Sequence, residues 1–198
     1  MSKPLQIIRL KGKDILPYIS DLATLRIKVF KEYPYLYEGD VHYEQNYLQT
    51  YVTCPESIMV LVLDQKQVVG ASTAIPLEFE TEECQAPFIE HGMNVKDIFY
   101  FGESVLLPAY RGQNIYRRFF QKREEAAREY GSRIAAFCAV ERPEDDPRQP
   151  EGYVPLDQVW QHFGYQKHPE LRAYYQWREI GEKEMSAKPL VFWLKKLD

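Results

Sequence analysis

The sequence has few of the residues that build cross-links, metal sites or nucleic-acid surfaces. Its 198 residues include three cysteines and four histidines, and neither set has the spacing of metal ligands. The cysteines form no CxxC pair and are odd in number, so we predict no disulfide framework and no bound metal. Because the net charge is −4, we also expect no nucleic-acid partner, since phosphate binding needs a basic face.

Long apolar runs are missing as well. No stretch approaches the roughly 18 apolar residues that a membrane helix needs, so we expect no membrane partner. Residues 1–10 contain no long apolar segment, and we therefore expect no signal peptide. Together with the cysteine pattern, these absences predict a cytoplasmic protein whose thiols are reduced.

What the sequence has in quantity is apolar and aromatic side chains. Hydrophobic residues make up 45% of the chain and charged residues 27%, an ordinary balance for a globular protein. The length and the absence of a linker or an internal repeat predict one domain over residues 1–198. Fifteen tyrosines and ten phenylalanines are more unusual, because such side chains both build cores and line pockets.

Apolar patterning predicts an α/β fold with a mixed sheet. Its centre is a strand–helix–strand unit at residues 97–140, whose two strands should be parallel. We predict the strands at residues 5–10, 57–63, 67–75, 97–107, 133–140, 171–180 and 190–197. We predict the helices at residues 15–30, 42–51, 113–130 and 156–163. Residues 78–94, which contain Pro87 and Gly92, are interpreted as an insertion or a long loop.

The loop inside the central unit has the strongest chemical signal. Residues 106–116 read LLPAYRGQNIY and lead into the helix. A helix N-terminus presents unpaired backbone N–H groups and about half a positive charge, so anions dock there. Arg111, Arg117 and Arg118 crowd this helix start, and no acidic residue follows before Glu124. Cations are unfavourable at this end by about 0.3–1 kcal/mol each, so either an anion offsets them or they extend into water.

This segment resembles the acyl-CoA-binding motif of the GNAT acetyltransferase superfamily. In that family a strand ends in a V-x-P-type sequence and leads through Tyr-Arg-Gly into an Arg/Gln-x-x-Gly-x-Gly/Ala loop and a helix. The matching residues are Leu106-x-Pro108, Tyr110-Arg111-Gly112 and the loop from Arg111 to Tyr116. The predicted order of strands and helices is also similar over nearly the whole chain.

Two positions depart from the family pattern, because Asn114 and Tyr116 stand where small residues are usual. Asparagine tolerates the left-handed backbone that such a position needs. Tyr116 either blocks the approach of a pyrophosphate to the backbone or points towards the core in a row with Phe120 and Ala127.

The resemblance implies the GNAT-like acyl-CoA N-acyltransferase fold, with acetyl-CoA as co-substrate and no metal. It implies transfer of an acyl group to a primary amine of a small molecule, by direct attack in a ternary complex. A homodimer is compatible with this superfamily. The residues implied for co-substrate binding are Val105, Leu106, Leu107, Arg111, Gly112, Gln113, Asn114, Ile115 and Tyr116.

Two residues are predicted to be catalytic. Glu103 lies in the otherwise apolar strand FYFGESVLL, where related enzymes often have a glutamate, and would accept the proton of the amine. The alternatives are that Glu103 faces solvent or pairs with an arginine. Trp160 stands where many family members have a tyrosine that protonates the departing thiolate, and an indole cannot do this. Tyr165 is the predicted substitute, with Tyr153 as another, although both could be packing residues.

Two acidic, aromatic segments, residues 31–44 and 141–151, correspond to those that line the acceptor site in this family. They would suit a cationic amine, or they are simply solvated loops. Two other functions stay open. One is a GNAT-fold module that binds acyl-CoA or a metabolite without turnover; the other is an interaction protein, which would have no pocket between the two parallel strands.

Overall fold

The computed structural model describes residues 4–198 and arranges them around one seven-stranded sheet. The strands are β1 (Gln6–Lys11), β2 (Ile58–Asp64), β3 (Gln67–Pro76), β4 (Ile98–Leu106), β5 (Ile134–Val140), β6 (Gln166–Trp177) and β7 (Ser186–Lys196). Their spatial order is β1-β2-β3-β4-β5-β7-β6. Neighbours pair antiparallel except β4 and β5, which are parallel, so the predicted mixed sheet with a central strand–helix–strand unit is confirmed.

Five α-helices cover the two faces of the sheet. They are α1 (Ile19–Phe30), α2 (Val41–Thr53), α3 (Glu82–Glu90), α4 (Ile115–Tyr130) and α5 (Asp157–His162). One face packs against α1, α2 and α3, and the other against α4 and α5, so each face has its own apolar core. None of the helices described between residues 4 and 198 combines the length and apolar character needed to cross a membrane.

Helix α4 follows the predicted apolar stripe. Ile115, Phe119 and Ala126 are buried against the sheet, at the spacing that places residues on one helical face. Gly131 ends the helix with φ of 90°, a left-handed conformation that favours glycine. The sequence pattern and the tertiary packing agree on the apolar positions of this helix, which begins at Ile115, two residues later than predicted.

The prediction that residues 78–94 form an insertion or a long loop is wrong. The segment contains a short 3₁₀ helix (Leu77–Phe79) and then α3, whose Cys84 and Phe88 are fully buried. These two side chains lie four residues apart and therefore on the same face of α3, and Phe88 packs edge-on against Phe192 of β7. Burial on the sheet outweighs the helix-breaking tendency of Pro87.

The first predicted helix and the next-to-last predicted strand also shift. Residues Gly12–Tyr18 form a 3₁₀ helix that contains Pro17, and the α-helix begins at Ile19 instead of Ile15. Strand β6 begins at Gln166, earlier than predicted, because a register irregularity between His168 and Arg172 lets the polar first part pair with β7.

The feature that positions the site is a split in the sheet. Strands β4 and β5 pair only from Ile98 to Tyr100, opposite Ile134 to Ala136, although both strands continue well beyond. Beyond Tyr100, no strand within residues 4–198 fills the gap between them. The parallel pair therefore opens towards its carboxyl ends.

Candidate functional site

A cavity of about 850 Å³ lies where β4 and β5 separate. Its lining includes Arg26 and Tyr47, which belong to helices on one face of the sheet. It also includes Phe120 and Arg123 of α4, which covers the other face. The cavity thus reaches both faces of the sheet, which argues against an interaction protein without a small-molecule pocket.

A bulge in β4 aims the candidate base into this cavity. Ser104 pairs with Ser72 of β3 and Phe101 pairs with Ala74, so Gly102 and Glu103 together oppose the single residue Thr73. A Cβ atom at Gly102 would collide with the Tyr51 hydroxyl and with Thr73 Oγ1. Glycine is therefore required for this close packing.

Glu103 is buried and forms an ion pair with Arg26 of α1, which also pairs with Glu44 of α2. Of the two alternatives to a base, the structure shows pairing with an arginine. Two carboxylates share one guanidinium, so this triad carries a net charge of −1 when all three groups are ionised. Burial alone would lower the pKa of Arg26, but Glu103 and Glu44 raise it well above its ordinary value.

The pairing leaves part of the Glu103 carboxylate free. Arg26 binds Oε2 of Glu103, whereas Oε1 is buried without a hydrogen-bond partner. Glu103 also lines the cavity. A donor group on a ligand would therefore complete the hydrogen bonding of this carboxylate.

A second buried carboxyl lies near the same wall. The hydroxyls of Tyr51 and Tyr47 donate to Glu80 Oε1 at 2.9 and 3.3 Å, and Tyr47 lines the cavity. Desolvation raises the pKa of Glu80. Nothing in the sequence pattern pointed to Glu80.

On the other face, Tyr116 lies against α5. Its ring packs on Phe120 and Phe163, with centroids 5.2 and 6.3 Å away. Trp160 Nε1 donates to the Tyr116 hydroxyl oxygen at 2.8 Å, and both residues line the cavity. Because an indole N–H only donates, the Tyr116 oxygen is the acceptor and its own proton is available. Burial raises the pKa of Tyr116.

The predicted co-substrate loop is an open surface segment. Residues Arg111 to Asn114 are exposed and lie outside the cavity lining, and α4 begins at Ile115, which is buried. Asn114 has φ of 61°, the left-handed conformation expected at that position. Gly112 has φ of 76° and open space around it. Arg111 donates to the Leu106 carbonyl and forms an exposed ion pair with Glu32.

At the end of β4, pairing with β3 limits which backbone N–H groups a ligand can reach. The Leu107 N–H donates to the Val69 carbonyl of β3 at 3.0 Å, so it is not free to polarise a ligand carbonyl. In a strand, successive N–H groups point to opposite edges. Leu106 therefore directs its N–H towards the open β5 side, whereas Val105 directs its own towards β3.

Tyr165, the predicted acid, lies in the protein core. It is fully buried, its hydroxyl donates to Glu124 at 3.1 Å, and Lys195 pairs with the same carboxylate. Tyr165 is not part of the cavity lining, whereas Tyr153 is. The structure therefore brings Glu103, Tyr116 and Trp160 together around one cavity and leaves Tyr165 beneath it.

The two predicted acceptor segments do meet at the cavity. Its lining includes Tyr33, Pro34, Tyr35, Tyr37 and Tyr43 from the first, and Glu141, Arg142, Pro143, Glu144 and Gln149 from the second. Arg142 joins them by donating to the Pro34 carbonyl at 2.7 Å and to Glu179 at 2.6 Å. Arg148 pairs with Asp146 at 2.8 Å and, through its hydrogen bonds, lowers the pKa of Asp146 to about 2.

Patterning missed Arg26 and Arg123 as site residues. Arg123 lies four residues after Phe119 and three before Ala126, inside the buried stripe of α4. A charged residue at such a position is a usable signal, because charges are rarely buried without a partner. Arg26 interrupts the apolar face of α1 in the same way. Among residues 4–198, no cluster of histidine, cysteine or acidic side chains could hold a metal ion.

No family model matches this sequence, and no curated protein is similar to it. Solved structures match the fold. An acetyltransferase of the GNAT family from Streptococcus pneumoniae has a TM-score of 0.58 at 10% identity, covering 98% of this chain and 100% of that one. The yncA protein of Salmonella typhimurium, solved with its cofactor acetyl-CoA, has a TM-score of 0.59 at 9% identity, covering 99% and 95%.

A ribosomal-protein-alanine N-acetyltransferase from Brucella melitensis has a TM-score of 0.59 at 13% identity, covering 96% of this chain and 99% of that one. These likenesses extend over the whole sheet and its helices. The chain therefore has the acyl-CoA N-acyltransferase fold, the fold of the GNAT superfamily, as the loop at residues 106–116 predicted.

Proposed function

We propose that this protein is an acyl-CoA-dependent N-acyltransferase that transfers an acyl group, with acetyl as the first candidate, to the primary amine of a small molecule. The observation that carries the proposal is the cavity at the split between β4 and β5. It connects a face with an exposed helix start to a face with a buried, negatively charged triad. Two substrates of opposite charge could meet in it.

The donor side fits a thioester that bears a diphosphate. The exposed loop at the start of α4 offers backbone N–H groups, and Arg117 and Arg118 are exposed residues of the first turn beside it. The open edge of β4 at Leu106 offers a further N–H for a carbonyl oxygen. When bound, such a thioester supplies an activated acyl group, and the protein's part is to hold and orient it.

The acceptor side fits a cationic amine. The triad of Glu44, Arg26 and Glu103 carries a surplus negative charge, and Oε1 of Glu103 has no partner. An ammonium group placed there would donate to Oε1. Glu103 would then take its proton and leave the amine free to attack, directly or through a water.

Tyr116 is the group best placed to donate a proton to the sulfur of the departing thiolate. Trp160 fixes its oxygen, which leaves the O–H free to donate to a departing thiolate within the cavity. The family position for this tyrosine lies on α5, where this chain has Trp160. A phenol from α4 would thus reach the same cavity, held by the indole that replaced the usual residue.

Two measurements test the proposal. Calorimetry should show binding of acetyl-CoA, and a thiol-detecting assay should show free coenzyme A released faster when members of a panel of primary amines are added. Absence of binding at millimolar acetyl-CoA would overturn the proposal. A matched control is Glu90→Gln, an exposed change on α3 that should leave both signals intact.

A second candidate is a module that binds acyl-CoA or a metabolite without turnover. The contacts between α4 and α5 favour it, because they bridge the helices across the cavity. Trp160 bonds Tyr116, and Arg117 lies 3.0 Å from His162 and stacks over Phe163. Binding of acetyl-CoA with no thiol release across the amine panel would favour this module over the enzyme.

A further inference from the structure

We propose that Arg123 binds a carboxylate that one of the two substrates brings into the cavity. The ligand's identity rests on the proposed function, whereas the anion site itself rests on the geometry of Arg123. Two sources share this chemistry. One is an acyl donor whose chain ends in a carboxylate, such as a succinyl thioester, and the other is an α-amino acid acceptor.

Arg123 is a buried cation without a carboxylate partner. Its side chain is 1% exposed, and no acidic group among residues 4–198 lies within ion-pair distance of it. Its one protein hydrogen bond is from Nη1 to the Glu103 carbonyl at 3.4 Å, and its Nε is buried with no partner. The guanidinium stacks over Phe101 and Phe120, at 4.5 and 4.6 Å.

Among residues 4–198, two other cations with little exposure are paired. Arg26 has Glu103 and Glu44, and Lys188 has Glu182 at 2.9 Å and Glu179 at 3.7 Å. Desolvation lowers the pKa of Arg123, as expected for a charge without a counter-ion. An arginine retains its proton even so, and the two aromatic rings offset only part of the cost of burial. A ligand carboxylate in the cavity would supply the missing counter-ion.

The same wall of the cavity holds a second free donor. Trp193 lines the cavity together with Arg123, and its Nε1–H is also buried without a partner. Trp193 belongs to the core on the α4 side of the sheet and Arg123 stacks on two rings of that core, whereas the Glu103 carboxylate pairs with Arg26 of α1. Free donors on one side and a free acceptor on the other match a ligand with oxygen atoms at one end and an amine at the other.

An alternative role for Arg123 is to stabilise the negative charge that develops on the thioester oxygen during attack. That charge is transient, so it would leave Arg123 unpaired in the resting complex. A carboxylate offsets the charge for as long as the ligand is bound. The two roles predict different effects of replacing Arg123. If Arg123 acted only on the transition state, its replacement would lower turnover equally for acetyl and succinyl donors.

The test compares carboxylated and neutral ligands on the wild-type protein. Calorimetry would measure acetyl-CoA against succinyl-CoA, and a panel of α-amino acids against their amides. We expect the carboxylated member of at least one pair to bind about tenfold tighter or better. Preference in the first pair assigns the donor, and preference in the second assigns the acceptor. Equal affinity within both pairs would overturn the proposal.

Variants then attach the preference to one side chain. Arg123→Gln should abolish it and Arg123→Lys should retain part of it, whereas Lys122→Gln, a change at the half-buried neighbour on α4 outside the cavity lining, should leave it unchanged. A preference that survives in Arg123→Gln would contradict the assignment. If Arg123→Gln fails to fold, the wild-type comparison and the Arg123→Lys variant still test whether the carboxylate preference depends on this side chain.

The proposed function and this inference fail in different ways. Turnover of acetyl-CoA with no carboxylate preference would leave the enzyme and remove the anion site. Carboxylate binding that depends on Arg123, without any binding of a coenzyme A thioester, would keep the anion site and remove the enzyme. The thermal unfolding temperature gives an independent readout, since a carboxylate that binds Arg123 should raise it in wild type and not in Arg123→Gln.

Discussion

At the scale of single residues, Glu103 combines two roles that appear exclusive from sequence alone. It pairs with Arg26 through Oε2, its Oε1 is buried without a partner, and the residue lines the cavity. The pair holds the carboxylate in place and leaves Oε1 as the acceptor that a ligand could complete. Pairing with an arginine is therefore compatible with a base, provided that the amine approaches Oε1.

Replacing Glu103 by Gln tests this arrangement. Arg26 keeps Glu44 as its partner, so we expect the fold to survive and acyl transfer to fall by about 10²–10⁴ in kcat/KM. Steady-state kinetics with an accepted amine would measure this loss, with circular dichroism as the check on folding. Full kcat/KM in Glu103→Gln would show that another group accepts the proton.

Arg26 should matter for stability far more than Glu103. Arg26→Met leaves two buried carboxylates, Glu44 and Glu103, side by side without a counter-ion. Breaking a buried pair in this way costs about 3–5 kcal/mol, so chemical denaturation should show a loss of that size. Lys11→Met removes the exposed pair with Glu56 and should change stability by less than about 1 kcal/mol. Similar small losses in both variants would contradict the buried triad.

Tyr116 should act through its hydroxyl. Tyr116→Phe keeps the ring contacts with Phe120 and Phe163 and removes the proton, so kcat should fall while binding of acetyl-CoA is retained. The phenol donates only while protonated, which holds below its pKa, and burial raises that pKa above 10.0. A loss of wild-type kcat that begins well below pH 10 would have to come from another group. A Tyr116→Phe enzyme with unchanged kcat would exclude Tyr116 as the acid.

At the scale of elements, the bulge in β4 sets the direction of Glu103. It needs glycine at position 102, because the Tyr51 hydroxyl and Thr73 Oγ1 occupy the place of a Cβ atom. The bulge also ends regular pairing near the point where β4 leaves β5. The bulge thus contributes both to the separation of β4 from β5 and to the orientation of the Glu103 side chain.

Gly102→Ala should therefore disturb both stability and activity. Overpacking of a buried site costs about 1–3 kcal/mol, and we expect a lower unfolding temperature together with reduced turnover. Gly92→Ala is the control, since its surroundings are open, only its left-handed backbone is strained and it lies outside the cavity lining. If Gly102→Ala were as stable as wild type, the tight contact with Tyr51 would not exist in solution.

At the scale of the whole molecule, ion pairs join segments that are distant in sequence into one wall of the cavity. Arg142 and Arg148 both bind Glu179, which is buried in the turn after β6, and Arg148 also binds Asp146. The acidic loop after β5 is consequently held against the tyrosine-rich segment after α1. Of the acidic side chains in the two predicted acceptor segments, Asp146 is neutralised within this network.

This network predicts an acid-sensitive fold. Hydrogen bonds from Arg148 lower the pKa of Asp146 from 3.8 to about 2. A lowered pKa stabilises the folded state above pH 3.8, and that contribution is lost as the pH falls towards about 2. Asp146→Asn should lower the unfolding temperature at neutral pH and flatten its fall over this range. An unchanged acid dependence in Asp146→Asn would show that this carboxylate does not couple to folding.

The sequence by itself determined the sheet, most of its helices and the place of the loop that leads into α4. Apolar runs such as that of β2 and the stripe of α4 report burial directly, because their periods match the geometry of strands and helices. The loop at residues 106–116 follows from local spacing in the same way. One domain, a cytoplasmic location, a homodimer and the amine acceptor stay predictions.

Only the tertiary structure decided which polar groups meet. Arg26 and Glu103 are 77 residues apart, and Tyr116 and Trp160 are 44 apart, so no local pattern links them. Periodicity predicts that a side chain is buried but does not say which partner it finds there. For the same reason α3 appeared as a loop, since its stability comes from Cys84 and Phe88 packing on a sheet completed more than a hundred residues later.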